Sequence, residues 1–260
     1  MNHVAVCTDL LKRKAKLVAM LAPSFPIVYE YPRIVARLKA LGFPYVLEVS
    51  AGAKRTNEAV FALYRDNPQG RYITSPCAGF VRMVRTQYPR FVPHLALKAD
   101  SPMVATARIA HEKYPGYRPV FIGPCLAKKL ESSEDYPDLS ILVLTFRELD
   151  AIFQQFAIGE DAGVADAAFD VAAPGTRIYP LDGGLTITSG IKSVLKDEEI
   201  SIVSGWQNLP KALEEFEKNP KIRLLDILFC DGGCISGPGI TSKLAPEERK
   251  KKVLEFNARG

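Results

Sequence analysis

The chain has 260 residues, 47% of them hydrophobic, and its 34 basic and 29 acidic residues leave a net charge of +5. That is enough apolar material for one large domain or two lobes, and so mild and mixed a charge argues against a nucleic-acid surface. No run approaches the roughly 20 apolar residues of a bilayer span, and the opening MNHVAVCTDLLKRKAK lacks the apolar segment of a secretory leader, so a cytoplasmic protein with neither membrane nor nucleic acid among its partners is expected.

In chain order, the apolar patch HVAVC comes first, and its Cys7 reads as a small buried hydrophobe. LVAMLAP then reads as a strand, PRIVARLKALGF as a helix by its period, and YVLEVS as a second strand. RYITSP is the next extended run and leads into Cys77. PMVATARIAHEKY has helical period, PVFIGP is a strand leading into Cys125, and SILVLTF and FRELDAIFQQF form a further strand and helix. Residues 158–184 are the most loop-like and read as a crossover between two lobes. ISIVSG, LPKALEEFEK and RLLDILF give a last strand, helix and strand, the final strand leading into Cys230 and Cys234. The mixed-sign run EERKKK reads as a solvated helix face in a charged helical tail, 246–260, following a domain of 1–245 and pointing toward a further module.

Alternation of this kind is the grammar of parallel sheets with helices on their faces, so the fold class expected is α/β, with two lobes, each a mainly parallel sheet flanked by helices. Ligands in such folds gather beyond the carboxyl ends of strands, and Cys77, Cys125, Cys230 and Cys234 all lie there among turn-forming residues. A reducing compartment argues against disulfides. Four converging thiolates hold either zinc or an iron–sulfur cluster. Zinc ribbons pair their ligands as two short knuckles, whereas Cys77 and Cys125 are isolated, which suits a cofactor buried in the cleft between lobes; a zinc protein with four cysteine ligands stays open. Gly232 and Gly233 are expected to bend the chain so that Cys230 and Cys234 serve one site.

Three loops resemble the signature motifs of the [FeFe]-hydrogenase large subunit, C-terminal (H-cluster) domain. Thr74-Ser75-Pro76-Cys77-Ala78-Gly79-Phe80 resembles its TSCCPGW loop, Gly123-Pro124-Cys125 through Lys128 and Glu131 its MPCxxKxxE loop, and Cys230-Asp231-Gly232-Gly233-Cys234 its ACxGGC loop. Weaker similarity in LVAMLAPSFP, ARLKALGFPYVLEVSAGA and RTQYPRFVPHLA extends the match over roughly 15–242. The resemblance implies two α/β lobes around a cleft, a [4Fe-4S] cluster on Cys77, Cys125, Cys230 and Cys234, and a binuclear iron subsite bridged through Cys234, with Lys128 hydrogen-bonding one of its cyanide ligands. The alternative for Lys128 is a solvated lysine at a helix start.

The departures define what the resemblance implies about activity. Pro76 stands where working hydrogenases carry an unligated cysteine that passes protons, and proline has nothing to titrate. Of the family's carboxylate relay only Glu58 remains, Ala62 falling where a second glutamate is expected; Gly123 replaces a methionine and Ile240 a glutamine. Ligands kept and relay lost is similar to the sensory branch of the family, implying redox or hydrogen sensing or electron relay with low turnover. An active iron hydrogenase interconverting H2 with protons and electrons is the alternative, with an iron–sulfur assembly factor behind it. The chain has no ferredoxin-type CxxCxxC run, so the implied partner is a ferredoxin-like electron carrier or a ferredoxin/PAS-type signalling module. Elsewhere, His94 reads as a packed histidine, His111 as a helix-surface histidine, Trp206 and Phe216 as core or lobe-packing residues, and Asp231 as a turn former.

Overall fold

The structure is a computed structural model describing residues 2–164 and 166–259. Asn2 caps α1 (His3–Lys12) by accepting from the Ala5 N–H, and the helix turns Cys7 and Leu11 into the core. β1 (Leu17–Leu21) is buried at every position, as a strand covered on both faces requires. α2 (Arg33–Leu41) ends where Gly42 takes a φ of 120°, and β2 (Tyr45–Glu48) pairs parallel with β1. α3 (Ser50–Asp66) carries the chain out of this sheet to β3 (Tyr72–Ile73), which belongs to a second one. α4 (Ala78–Gln87) and α5 (Pro102–Lys113) lead back to β4 (Arg118–Gly123), and the short α6 (Ala127–Leu130) precedes β5 (Leu142–Thr145). α7 (Phe146–Gln155) starts with a capping box in which Thr145 and Glu148 satisfy each other's backbone N–H. Beyond the crossover come α8 (Gly184–Thr188), β6 (Ile200–Ser204), α9 (Leu209–Lys218), β7 (Leu224–Leu228) and α10 (Pro246–Asn257).

The first sheet has the order β2-β1-β4-β5 and the second β3-β7-β6, with every pairing parallel. This is the α/β architecture of parallel sheets flanked by helices that the sequence implies. Each sheet has its own apolar core, one built around β1, β4 and β5 with Phe25, Phe43 and Phe146, the other around Phe80, Phe91, Leu213 and Phe216. The chain passes between the two repeatedly, so neither lobe is contiguous in sequence.

Two segments tie the lobes together. In the crossover, the Glu48 N–H donates to Val171 O at 2.8 Å and the Asp170 N–H to Val46 O at 2.9 Å, so these residues lie along β2 like a short extra strand. Arg177 further along donates to the fully buried Glu48 carboxylate at 2.9 and 3.1 Å. α10 exposes its charged face, including the EERKKK run apart from the half-buried Arg249, but buries Val253 and Phe256, the latter edge-on to Phe25 with ring centroids 4.8 Å apart. Burial of a phenylalanine of this kind contributes about 1.5–3 kcal/mol. Arg249 adds hydrogen bonds to the carbonyls of Leu244, Ser242 and Ile235 at 2.8, 3.0 and 3.2 Å, which fastens α10 to the stretch just after Cys234.

Two sequence expectations are corrected here. Trp206 is 60% exposed rather than packed, because Gly205 turns the chain away at the end of β6 and no further strand lies outside it among the described residues. His111 is half-buried on α5 with Nε2 3.1 Å from Leu139 O, while His94 packs edge-on against the buried Phe216. No described helix is long and apolar enough to cross a membrane.

Candidate functional site

The loops leaving β3, β4 and β7 carry Cys77, Cys125 and the pair Cys230 and Cys234, and all four thiols border one cavity of about 470 Å³ between the lobes. Cys77 stands immediately before α4 and accepts a hydrogen bond on Sγ from the Phe229 N–H at 3.4 Å, so the first and third loops meet at a ligand. Backbone N–H groups of Ala127 and Lys128, at the start of α6, point at the Cys125 sulfur. The second and third loops meet along Pro124: the Gly239 N–H donates to Pro124 O at 2.8 Å, and a Cβ on Gly239 would sit 2.9 Å from that oxygen. Gly233 has the positive φ expected of it, 100°, and a Cβ there would lie 2.4 Å from Pro180 O, the atom to which the Cys234 N–H donates at 2.7 Å. The glycines thus let two loops approach closer than any side chain would permit.

Burial, reinforced by the neighbouring thiols, pushes Cys125, Cys230 and Cys234 above the ordinary thiol range, Cys230 to about 12. All three feel the thiol of Cys77, and Cys230 and Cys234 feel Cys125 as well, which places the four within one electrostatic neighbourhood. Cys7 is also raised to about 12, but by burial with Arg118 opposing, and it lies in the core of the first lobe. Among the described residues no three His, Cys, Asp or Glu side chains converge on a point that a single metal ion would occupy. Four soft thiol donors around a cavity fit a multi-iron cluster, one thiolate to each iron, better than a lone tetrahedral zinc. Loading such a group would displace the thiol protons.

A second, smaller cavity of about 70 Å³ adjoins the first and shares Pro124, Cys125, Leu228 and Cys234 with it. Its lining is almost wholly apolar and includes Pro76, Val49, Met103 and Phe121. Lys128 lines it too, but is 8% exposed, so the solvated alternative does not hold. Its Nζ donates to Pro76 O at 2.9 Å and pairs with Glu131 at 2.6 Å. Burial is the largest influence and opposes its charge, but Glu131, with Cys125 and Cys77 adding to it, raises Lys128 above the ordinary lysine range and keeps it protonated.

Sequence reasoning did not single out Ser24 and Tyr179, which line this smaller cavity with buried hydroxyls that have no hydrogen-bond partner among the described residues. Behind them Asp226 on β7, 3% exposed, accepts from the Thr186 N–H and hydroxyl at 3.1 and 2.7 Å and from Thr74 at 3.3 Å, joining β3, β7 and α8. The signal was present in RLLDILF, where an aspartate interrupts an otherwise apolar buried strand. Glu58 lies exposed on α3.

The profile of a family described as "Iron only hydrogenase large subunit, C-terminal domain" matches residues 15–238. Among curated proteins, the cytosolic Fe-S cluster assembly factor NAR1 of Encephalitozoon cuniculi (strain GB-M1) is 26% identical over 187 residues, an overlap of 64% of this chain and 51% of that protein, so the chain spans about half the length of this relative. Among solved structures, an [FeFe]-hydrogenase studied for oxygen inactivation through modification and degradation of its H-cluster 2Fe subcluster superposes with a TM-score of 0.74 at 17% identity, covering 99% of this chain and 88% of that one. A variant of HydA1, an [FeFe]-hydrogenase from Chlamydomonas reinhardtii, gives 0.73 at 15% identity with the same coverage. At these identities the superpositions speak for the fold.

Proposed function

The chain belongs to the family of the iron only hydrogenase large subunit, C-terminal domain, and on that premise we propose that it holds a [4Fe-4S] cluster on Cys77, Cys125, Cys230 and Cys234 and acts in redox or hydrogen sensing or electron relay, with low hydrogenase turnover. The observation that carries this reading is the meeting of four thiols around one cavity while Pro76 lines the cavity next door. A cluster held there supplies one-electron chemistry. The chain's own contribution is to stabilise thiolate charge through the N–H groups of Phe229, Ala127 and Lys128, and to exclude water with an apolar lining.

Proton supply is what the site lacks. General acid–base transfer needs a titratable group within hydrogen-bond reach, Pro76 offers none, and the hydroxyls of Ser24 and Tyr179 have no hydrogen-bond partner among the described residues. Cys125 and Cys234 both border the two cavities, and of the two it is Cys234 that the family resemblance implies as the thiolate shared with a binuclear iron subsite. An electron carrier of ferredoxin type, or a ferredoxin/PAS-type signalling module, is the partner this reading implies. The similarity to an assembly factor favours a second reading, in which the chain holds or passes on a cluster and the smaller cavity carries no iron.

Anaerobic preparation with iron and sulfide analysis, infrared spectroscopy in the CO and cyanide region and hydrogen evolution assays separates these. The first reading expects about four irons and four sulfides per chain and slow hydrogen evolution that Pro76→Cys raises on the order of 10²-fold when the subsite is present. Ordinary hydrogenase rates in the parent would overturn it. Transfer of the cluster to an apo acceptor, with no CO or cyanide bands, would establish the second.

A further inference from the structure

Opposite the cysteine loops, the first sheet ends in a groove of about 620 Å³ that the functional reading does not use. It lies where β1, β2 and β4 begin, lined by Lys16, Pro44 and Tyr117, the residues immediately before those strands. α1, α2 and α7 bring their carboxyl ends to it. Its floor is apolar: Leu11 and Leu41 are buried, and Tyr117 and Phe156 are half-buried.

The rim is basic, carrying Lys12, Lys14, Lys16 and Lys39. Lys39 pairs with Asp170 at 3.2 Å and the neighbouring Arg13 with Asp9, but Lys12, Lys14 and Lys16 are exposed and have no ion pair among the described residues. Lysines at helix ends ordinarily offset the helix dipole, about half a negative charge per carboxyl end and so roughly one and a half for three ends. The three unpaired ammoniums exceed that, and Lys14 and Lys16 stand beyond α1 altogether, Lys16 with Nζ 5.9 Å from the centre of the Tyr117 ring. Positive charge is therefore in surplus over an apolar floor.

The backbone decides which kind of anion suits the groove. Its helices present carbonyls rather than N–H groups, and Ala40 O, with Pro44 unable to close the next turn, has no hydrogen-bond donor among the described residues. Bound phosphate is ordinarily held by backbone N–H groups at helix N-termini or by the forked N–H groups of arginine, and here it would face acceptors. A peptide meets all three features at once. Its carboxylates reach the rim ammoniums, its backbone N–H groups find the carbonyl ends, and its apolar side chains cover Tyr117 and Phe156.

We propose that this groove is the docking site for an acidic segment of a partner protein, with carboxylates flanking an apolar centre. The whole length of β4, roughly 20 Å, separates it from Cys125, so a partner held here is tethered away from the thiol cavity rather than seated to exchange electrons with it. None of the cysteines lines the groove, so the proposal goes beyond the functional reading and can fail independently of it.

The test titrates the full chain, reconstituted anaerobically, against short dye-labelled peptides followed by fluorescence anisotropy. One peptide has glutamates flanking leucine and phenylalanine, the second has lysines in place of the glutamates, and the third has glutamates flanking serines. The first is expected to bind, the second not measurably, and the third roughly tenfold more weakly because it leaves the floor uncovered. Lys12→Gln combined with Lys14→Gly should weaken the first peptide roughly tenfold and flatten its dependence on salt. Lys14 has a φ of 52°, which suits glycine, so iron content and thermal stability should hold in that variant. Equal binding of the first and third peptides, no binding of the first, or an unchanged affinity in the variant would each overturn the proposal. So would displacement of the first peptide by oligothymidylate at concentrations below the peptide's own, which would mark a phosphate site.

Discussion

The two cavities share a wall of four residues and differ in nearly everything else. Both linings are apolar, but the larger is bordered by four thiols with backbone N–H groups directed at two of them, whereas the smaller has one charge, spent on Glu131, and two hydroxyls without partners among the described residues. Donors aimed at sulfur make a place for anionic ligands, and an apolar pocket with proline in place of a titratable group makes a place where direct proton transfer is not supplied. The lesson is that retention of ligands and retention of a reaction are separable, and here the separation runs along Pro124, Cys125, Leu228 and Cys234.

The sharpest way to break that comparison is at the shared wall. Cys125→Ala and Cys234→Ala should each lose nearly all iron bound on anaerobic reconstitution, since each removes one of four ligands, whereas Cys7→Ala should keep its iron and cost only about 1 kcal/mol in chemical denaturation. Iron retained by Cys125→Ala would dissolve the distinction between the cavities.

Next in size is the ion pair that consumes the smaller cavity's charge. Glu131→Gln leaves a buried ammonium unpaired and is expected to destabilise by about 3–5 kcal/mol in urea titrations, while replacing Lys128 and Glu131 together by methionine and leucine should recover most of the loss. A loss under about 1 kcal/mol would mean that water reaches Lys128.

Asp226, behind the smaller cavity, gives a pH-dependent contrast. Burial raises its carboxyl above the ordinary aspartate range, although Thr186 and Thr74 pull it down in part. The folded state therefore binds this proton more tightly than the unfolded state, and the contribution to stability declines as pH rises above about 4. Asp226→Asn should grow progressively more stable relative to the parent across that interval, measured as the difference between denaturation midpoints at successive pH values. A difference that is flat with pH would show that Asp226 is not held protonated.

The smallest effect concerns Tyr179. Its buried hydroxyl has no partner among the described residues, so Tyr179→Phe removes a desolvated polar group at no loss of a hydrogen bond seen there and should be neutral or stabilising by up to about 1 kcal/mol. A loss larger than that would reveal a partner for the hydroxyl in solution.

Much of this architecture was legible beforehand because parallel strands buried on both faces are continuous apolar runs. LVAMLAP, PVFIGP and RLLDILF could hardly be anything else, and the cysteines fell at their carboxyl ends where such folds place ligands. The helix α3 was harder to see, since SAGAKRTNEAVF begins with small residues whose burial comes from close packing rather than from an apolar stripe. Trp206 misled because a lone tryptophan usually packs, and only the order of strands reveals that β6 has nothing beyond it. The split into two cavities, and the unpartnered hydroxyls of Ser24 and Tyr179, arise from segments far apart in sequence that carry no local signature.

The interleaving of the lobes also has a consequence in time. The first sheet is complete at β5, but the core beside Phe25 is finished by Phe256, and the second sheet gains two of its three strands only with β6 and β7. A ribosome adding 5–20 residues per second takes roughly 5–20 s over the ~100 residues between Cys125 and Cys234. Throughout that interval the two early thiols hang in an unfinished cleft, open to stray metal and oxidant. Whatever group belongs in this site must therefore arrive after synthesis, or the nascent chain must be shielded until the last loop closes over it.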